Sequence, residues 1–306
     1  MNVLTKHLST KQITAIHLFL QRDAREVDRA FHLYRQGEGS YEEVIQALQA
    51  FQNQDGGFGR ALEPDSRLLD SSVLNTTVAL QYLVQLPVRG DHPMVKKALD
   101  YLSLQFDSVH KKWPIVPVTI NNVPRAPWWN VNEETGETGF EKTPGNPAAE
   151  IVGYFHFYRD YVPQDLIEKS QLMVMKRWDE MTDWETHEVQ CYYRLAELTD
   201  DNEIKQRIIE KMKQNLDNIF TLTPEQWLGY GLQPVAIINQ TSSPLYNELE
   251  EIVEENAYWL AEQLTKDGYW EPSWEWGQYP LEWEQAKKEW RSFLTVKACH
   301  PSKFEM

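Results

Sequence analysis

The chain has too little cysteine for a disulfide framework: Cys191 and Cys299 are the only two in 306 residues. It also lacks a long apolar run. The stretch Ile13 to Leu20 is broken by His17, is followed at once by Gln21-Arg22-Asp23, and carries no small-residue cleavage site. It is too short to span a bilayer and does not read as a secretory leader. Basic residues are outnumbered, 30 against 46 acidic, and the resulting charge of −16 repels nucleic-acid backbones and anionic membrane surfaces. No glycine-rich phosphate loop, Walker lysine, nucleophile elbow or H-E-x-x-H pair occurs. No stretch alternates apolar and polar residues as a half-buried strand would. A cytoplasmic protein that takes no nucleic acid and does not insert in a membrane is the expectation, with its oligomeric state left open.

Helical periodicity fills the space left by these absences. Ile204, Ile208, Ile209, Met212, Leu216 and Ile219 recur at three- and four-residue steps, and so do Met94, Val95, Ala98, Leu99 and Leu102. Leu245, Leu249, Ile252, Val253, Leu260 and Leu264 form a third stripe. Ser40-Tyr41-Glu42-Glu43 reads as a capping box, and Asn146-Pro147 as a cap followed by a first-turn proline. Helices are expected near 11–20, 24–36, 41–52, 71–86, 93–106, 147–161, 164–179, 185–198, 202–220, 245–264 and 282–298, with a short one around 233–240. The class is all-α and the whole chain, 1–306, reads as one domain. Two connectors are long, near 107–146 and 221–244. Their tryptophans and prolines argue for ordered loops rather than linkers.

Two segments repeat a pattern. Gln52-Asn53-Gln54-Asp55-Gly56-Gly57-Phe58-Gly59 joins one helix pair, and Gln263 with Asp267-Gly268-Tyr269-Trp270 joins another. Asp-Gly is strong turn chemistry, since glycine accepts a positive φ and aspartate bonds back to nearby backbone. The first segment resembles the Q-x-x-D-G-G-(W/F)-G repeat of the terpenoid cyclase and protein prenyltransferase superfamily. The second resembles a slackened copy with one extra residue. The resemblance implies an α/α toroid, a ring of about six helix hairpins with inner and outer helices around a central cavity. It also implies that the glutamine and the aromatic tie consecutive helices together. It does not extend to a reaction: no D-x-D-D run is present, and Val189 and Lys297 stand where an Asp-x-Cys zinc pair needs aspartate.

Candidate chemistry lies in the connectors. Glu63, Asp65 and Asp70 follow the first turn, and neighbouring carboxylates suit general acid–base work because each pushes the other's pKa. They are the candidate catalytic residues, against the plainer reading of a solvated loop with Asp70 capping a helix. Trp128, Trp129, Tyr230, Glu271, Trp274 and Trp276 are the candidate ligand-binding residues, joined by His187. Aromatic faces interspersed with acids suit an isoprenoid-like or other apolar ligand in a cavity, and equally a sugar. The plainer reading has the same tryptophans plugging the ends of the ring. His187, Cys191 and Arg194 share a helical face, but with Glu188 on another face no third metal ligand is evident, so no metal or other cofactor is expected. Three readings result: a small apolar ligand in an aromatic-lined cavity, a carbohydrate-active enzyme using carboxylates among Glu63, Asp65, Asp70, Glu271 and Glu275, and a non-catalytic scaffold. The first predicts an enclosed aromatic site, the second an open polar cleft, the third a filled core with an exposed apolar patch. Whether the protein is an enzyme is not fixed by the sequence.

Overall fold

The computed structural model describes residues 2–300, the side chains of Glu141 and Lys142 apart. Among the described residues the fold is all-helical, without strands. The helices are α1 (Thr10–Arg22), α2 (Glu26–Gln36), α3 (Tyr41–Gln49), α4 (Val73–Leu83), α5 (Pro93–Leu104), α6 (Gly145–Phe157), α7 (Gln164–Glu180), α8 (Thr186–Leu198), α9 (Asn202–Lys213), α10 (Leu216–Ile219), α11 (Pro224–Trp227), α12 (Tyr246–Glu262) and α13 (Pro280–Cys299). No helix of the described residues is long and apolar enough to cross a membrane.

The chain divides into two compact units. The first comprises Met1–Val44, Ile209–Glu275 and Glu284–Met306. There α1 packs on α2, and α12 packs on α11 and on the turn Pro234–Ala236. The second comprises Ile45–Ile208 and Trp276–Trp283. There α6 packs against α7, α8 and α4, and α4 against α5. The buried residues of α5 are Met94, Val95, Ala98, Leu99 and Leu102, the five picked out by periodicity, together with Tyr101.

Local signals explain most boundaries. Glu43 N donates to Ser40 Oγ (3.3 Å) and Ser40 N to Glu43 Oε2 (2.7 Å), the reciprocal bonds of a capping box at the start of α3. In α6, Asn146 keeps a non-helical backbone (φ −103°, ψ 112°) and the regular turns begin at Pro147. The helix expected over 202–220 is two: Asn215 (φ −134°, ψ 26°) stands between α9 and α10. Its side chain caps back to Lys211 O at 2.8 Å. The short helix expected near 233–240 is a single 3-10 turn, Pro234–Ala236.

Both Asp-Gly turns share one backbone plan. Asn53 N donates to Gly57 O (2.9 Å) and Gly56 N to Asn53 O (3.1 Å). In the second turn Thr265 N donates to Tyr269 O and Gly268 N to Thr265 O, both at 3.1 Å. Gly56 (φ 92°) and Gly268 (φ 90°) hold the same left-handed conformation. The following aromatic then donates its backbone N–H to a threonine hydroxyl, Phe58 to Thr76 (3.0 Å) and Trp270 to Thr295 (3.3 Å). The two turns are therefore in register with no inserted residue, and Leu264 rather than Gln263 occupies the place of Gln52. Gln52 Nε2 bonds both Gly56 O (2.9 Å) and Met94 O (3.0 Å), tying its turn to α5. Among the described residues the Gln263 side chain bonds its own helix alone, at 3.4 Å to Trp259 O.

Candidate functional site

The connector after the first turn starts under strain. Arg60 (φ 56°) and Ala61 (φ 61°) are consecutive non-glycine residues in the left-handed region, where an L-residue costs about 1–3 kcal/mol. That reversal delivers Leu62 and then Glu63 inward. Glu63 is 6% exposed and Asp65 4%. Neither lies in a solvated loop.

Hydrogen bonds hold both residues in place. Glu63 N donates to Asn75 Oδ1 (2.8 Å), and Asn75 is held by Ser72 Oγ through its backbone N (3.0 Å) and its Nδ2 (2.8 Å). Asp65 N donates to Glu63 Oε2 (3.0 Å). Trp276 Nε1 donates to Asp65 Oδ1 (2.8 Å). Burial and then the charge of Asp65 push the Glu63 carboxyl well above the usual glutamate range. The Asp65 N–H, the Arg67 charge and the Trp129 indole oppose the rise without cancelling it.

The long connector 107–146 closes over these residues. Ala126 N donates to Asp65 O (2.8 Å) and Arg67 N to Pro124 O (2.9 Å), so the segments run side by side as a short antiparallel pairing at Ser66 and Arg125. Gln278 Nε2 adds a bond to Arg125 O (2.8 Å). Three 3-10 turns, Val118–Asn122, Pro127–Trp129 and Gly139–Lys142, give the connector its order. In the second of them Trp129 is buried and Trp128 half-buried. Trp129 Nε1 is buried and faces the Glu63 carboxyl, but outside ordinary hydrogen-bond geometry among the described residues. An indole N–H is almost always satisfied in a folded core, and an orphan costs about 1–3 kcal/mol.

The other candidates divide. Trp129 stacks on Phe140 (5.1 Å between ring centres), and Phe140 meets the edge of His187 (6.3 Å), so His187 belongs to the same aromatic row. Asp70 is exposed and accepts from Thr119 Oγ1 (3.1 Å); the cap of α4 is Ser72. Glu271 is exposed and forked to Arg291 (2.8 and 2.9 Å). Trp274 packs on Trp290 at 5.0 Å. Tyr230 is 67% exposed. Trp274, Glu271 and Tyr230 belong to the first unit, and Glu63, Asp65, Trp129 and Trp276 to the second.

Cys191 is buried, its thiol 3.7 Å from Asn146 Oδ1, and burial pushes it well above the usual thiol range. Arg194 pairs with the buried Glu150 at 2.8 Å. Glu188, on the other face of α8, is fully buried and takes a forked Arg177 (2.7 and 2.9 Å) together with Gly145 N (2.7 Å). Among the described residues no cluster of three histidine, cysteine, aspartate or glutamate side chains could hold a metal ion. Asn75 and Phe140 escaped sequence reasoning. Asn75 stands within a buried helix face where nothing in its spacing marks it, and Phe140 is an isolated aromatic in a polar stretch. Comparison with protein-family models finds no match to this chain, and comparison with curated proteins finds none.

Proposed function

We propose that the protein is a member of the terpenoid cyclase and prenyltransferase-like α/α toroids, and that Glu63 and Asp65 form an acid–base pair serving a small, enclosed ligand. The Gln52 clamp and the second turn built in the same register support the superfamily reading. The observation that carries the functional reading is the buried pair itself: a carboxyl whose pKa burial and an adjacent charge push up, facing a buried indole N–H. Two donors, Glu63 and Trp129, then suit an acceptor oxygen on the ligand, while Trp128 and the Trp129–Phe140–His187 row suit an apolar body.

A carboxyl whose pKa is raised gives its proton to oxygen, not to an unactivated alkene, which needs a far stronger acid. Alkene-protonating cyclisation is therefore disfavoured, in keeping with the missing D-x-D-D run. Both carboxylates are buried beneath a tryptophan-rich connector, so an enclosed isoprenoid-like alcohol or ether fits better than an oligosaccharide in an open cleft. Glu63 would give its proton to the ligand oxygen, and Asp65, oriented by Trp276, would stay the charged partner beside it.

Thermal shift with isoprenoid alcohols, isoprenoid diphosphates and oligosaccharides tests the reading. A ligand at about 100 times its Kd stabilises by about 2.7 kcal/mol. An isoprenoid alcohol is expected to raise the melting temperature of the wild type but not of Glu63→Gln or Trp129→Phe. A shift with oligosaccharides alone favours the carbohydrate reading. No shift with any class removes both.

A further inference from the structure

Three histidines of the first unit stand in one hydrogen-bonded row, none of them close to the carboxylate pair in sequence. His17 Nδ1 lies 3.0 Å from His32 Nε2, and His32 Nδ1 lies 2.8 Å from His300 Nε2. The ring centres are 5.3 and 5.0 Å apart. His17 is on α1, His32 on α2, and His300 follows the last residue of α13, its N–H still bonded to Val296 O at 2.8 Å. His32 and His300 are buried and His17 is half-buried. Both ring nitrogens of His32 are engaged, so the row fastens the end of α13 to α2 and α1 through one side chain.

We propose that this row is an acid-released latch for the C-terminal turn of α13. Three neutral imidazoles carry three N–H groups and three lone pairs. The two contacts consume two of each, and every contact has one donor and one acceptor. One added proton is tolerated, because a protonated His32 donates in both directions and a protonated His17 still donates to His32. A second proton turns one contact into N–H facing N–H and puts a second cation in the row. The row then separates.

The surroundings favour the neutral row. Burial first and the neighbouring His17 second push His32 down to about 4. Burial, His32 and the Arg35 guanidinium push His300 down to about 3. Phe31 presents its ring edge to His300 at 6.3 Å. Among the described residues Glu38 offers the row a counter-charge, 3.9 Å from His17 Nε2 at the half-exposed end. Asp28, one turn before His32, is already bound by Arg25 and Ser292. With both buried pKa values lowered, the unfolded or opened form binds more protons. Stability is therefore full above the ordinary histidine value near 6.5 and falls as pH drops from there toward the folded values of about 4 and about 3.

Hydrogen exchange of the full chain at pH 7.5 and 5.0, corrected for intrinsic rates, tests the latch. The opening constant of the amides at 296–300 is expected to rise at least about tenfold at pH 5.0, while α7 changes far less. In His32→Gln and in His300→Gln, whose amides neither titrate nor lose hydrogen-bonding capacity, the difference is expected to shrink to below about threefold. Equal protection of 296–300 at both pH values in the wild type overturns the proposal. So does an undiminished acid response in both variants. Should either variant fail to fold, ring-nitrogen NMR titration of the wild type decides: His32 and His300 titrating near 6.5 overturn the latch, and midpoints well below it support it.

Discussion

Trp276 Nε1 donates to Asp65 Oδ1 at 2.8 Å across 211 positions of sequence. The bond ties the segment before α13 to the connector after the first turn and fixes which oxygen of Asp65 stays free of the indole. Replacing Trp276 by Phe keeps the packing on Trp283 but leaves a buried carboxylate oxygen without that donor. A loss of about 1–3 kcal/mol in urea unfolding is expected. A change below about 0.5 kcal/mol would show the contact to be incidental.

Glu63 gives the site its own pH dependence, opposite in sign to that of the histidine row. Its folded pKa is raised, so the stabilisation is present below the ordinary glutamate range and is lost as pH rises toward the folded value. Glu63→Gln removes that loss. The variant is expected to gain stability relative to wild type on going from pH 5 to pH 8, measured by urea midpoints; a flat difference contradicts the assignment.

The paired turns make a sharper comparison. A Cβ at Gly56 would stand 2.6 Å from Lys97 O, and one at Gly268 2.2 Å from Ala15 O. With the left-handed backbone added, Gly56→Ala and Gly268→Ala are each expected to cost about 2–4 kcal/mol. The glutamines should part company. Gln52→Ala frees two carbonyls and should cost about 1–3 kcal/mol, while exposed Gln263→Ala should cost under about 0.5. Equal costs would contradict the register described above.

Glu188 is the clearest buried charge in the second unit. Removing it by Glu188→Ala leaves Arg177 with Asp183 as its remaining partner and the Gly145 N–H without its acceptor, and about 3–5 kcal/mol of destabilisation is expected in denaturant unfolding.

Much of this was legible from residue spacing. The stripes of α5 and α9, the capping box before α3 and the order in the long connector are all local signals, and local signals survive folding. The break at Asn215 did not show because the apolar period runs across it. Glu63 and Asp65 could be picked out as neighbours, but their burial depends on the Arg60–Ala61 reversal and on residues 124–126 pairing alongside, neither of which has a sequence period. Asp70 looks equivalent to them in sequence and is exposed. Trp274 and Trp276, two apart, fall in different units, which a count of aromatics cannot separate. The histidine row is the extreme case: its members are 15 and 268 positions apart.

The claim on which the functional reading turns is that burial beside Asp65 holds the Glu63 carboxyl well above the ordinary glutamate range. Carbon-13 NMR of the Glu63 carboxyl from pH 4 to 9, in wild type and Asp65→Asn, tests it directly. A midpoint well above the ordinary glutamate range, moving down when the Asp65 charge is removed, is the expected result. An ordinary glutamate midpoint in the wild type, unmoved in Asp65→Asn, would contradict it.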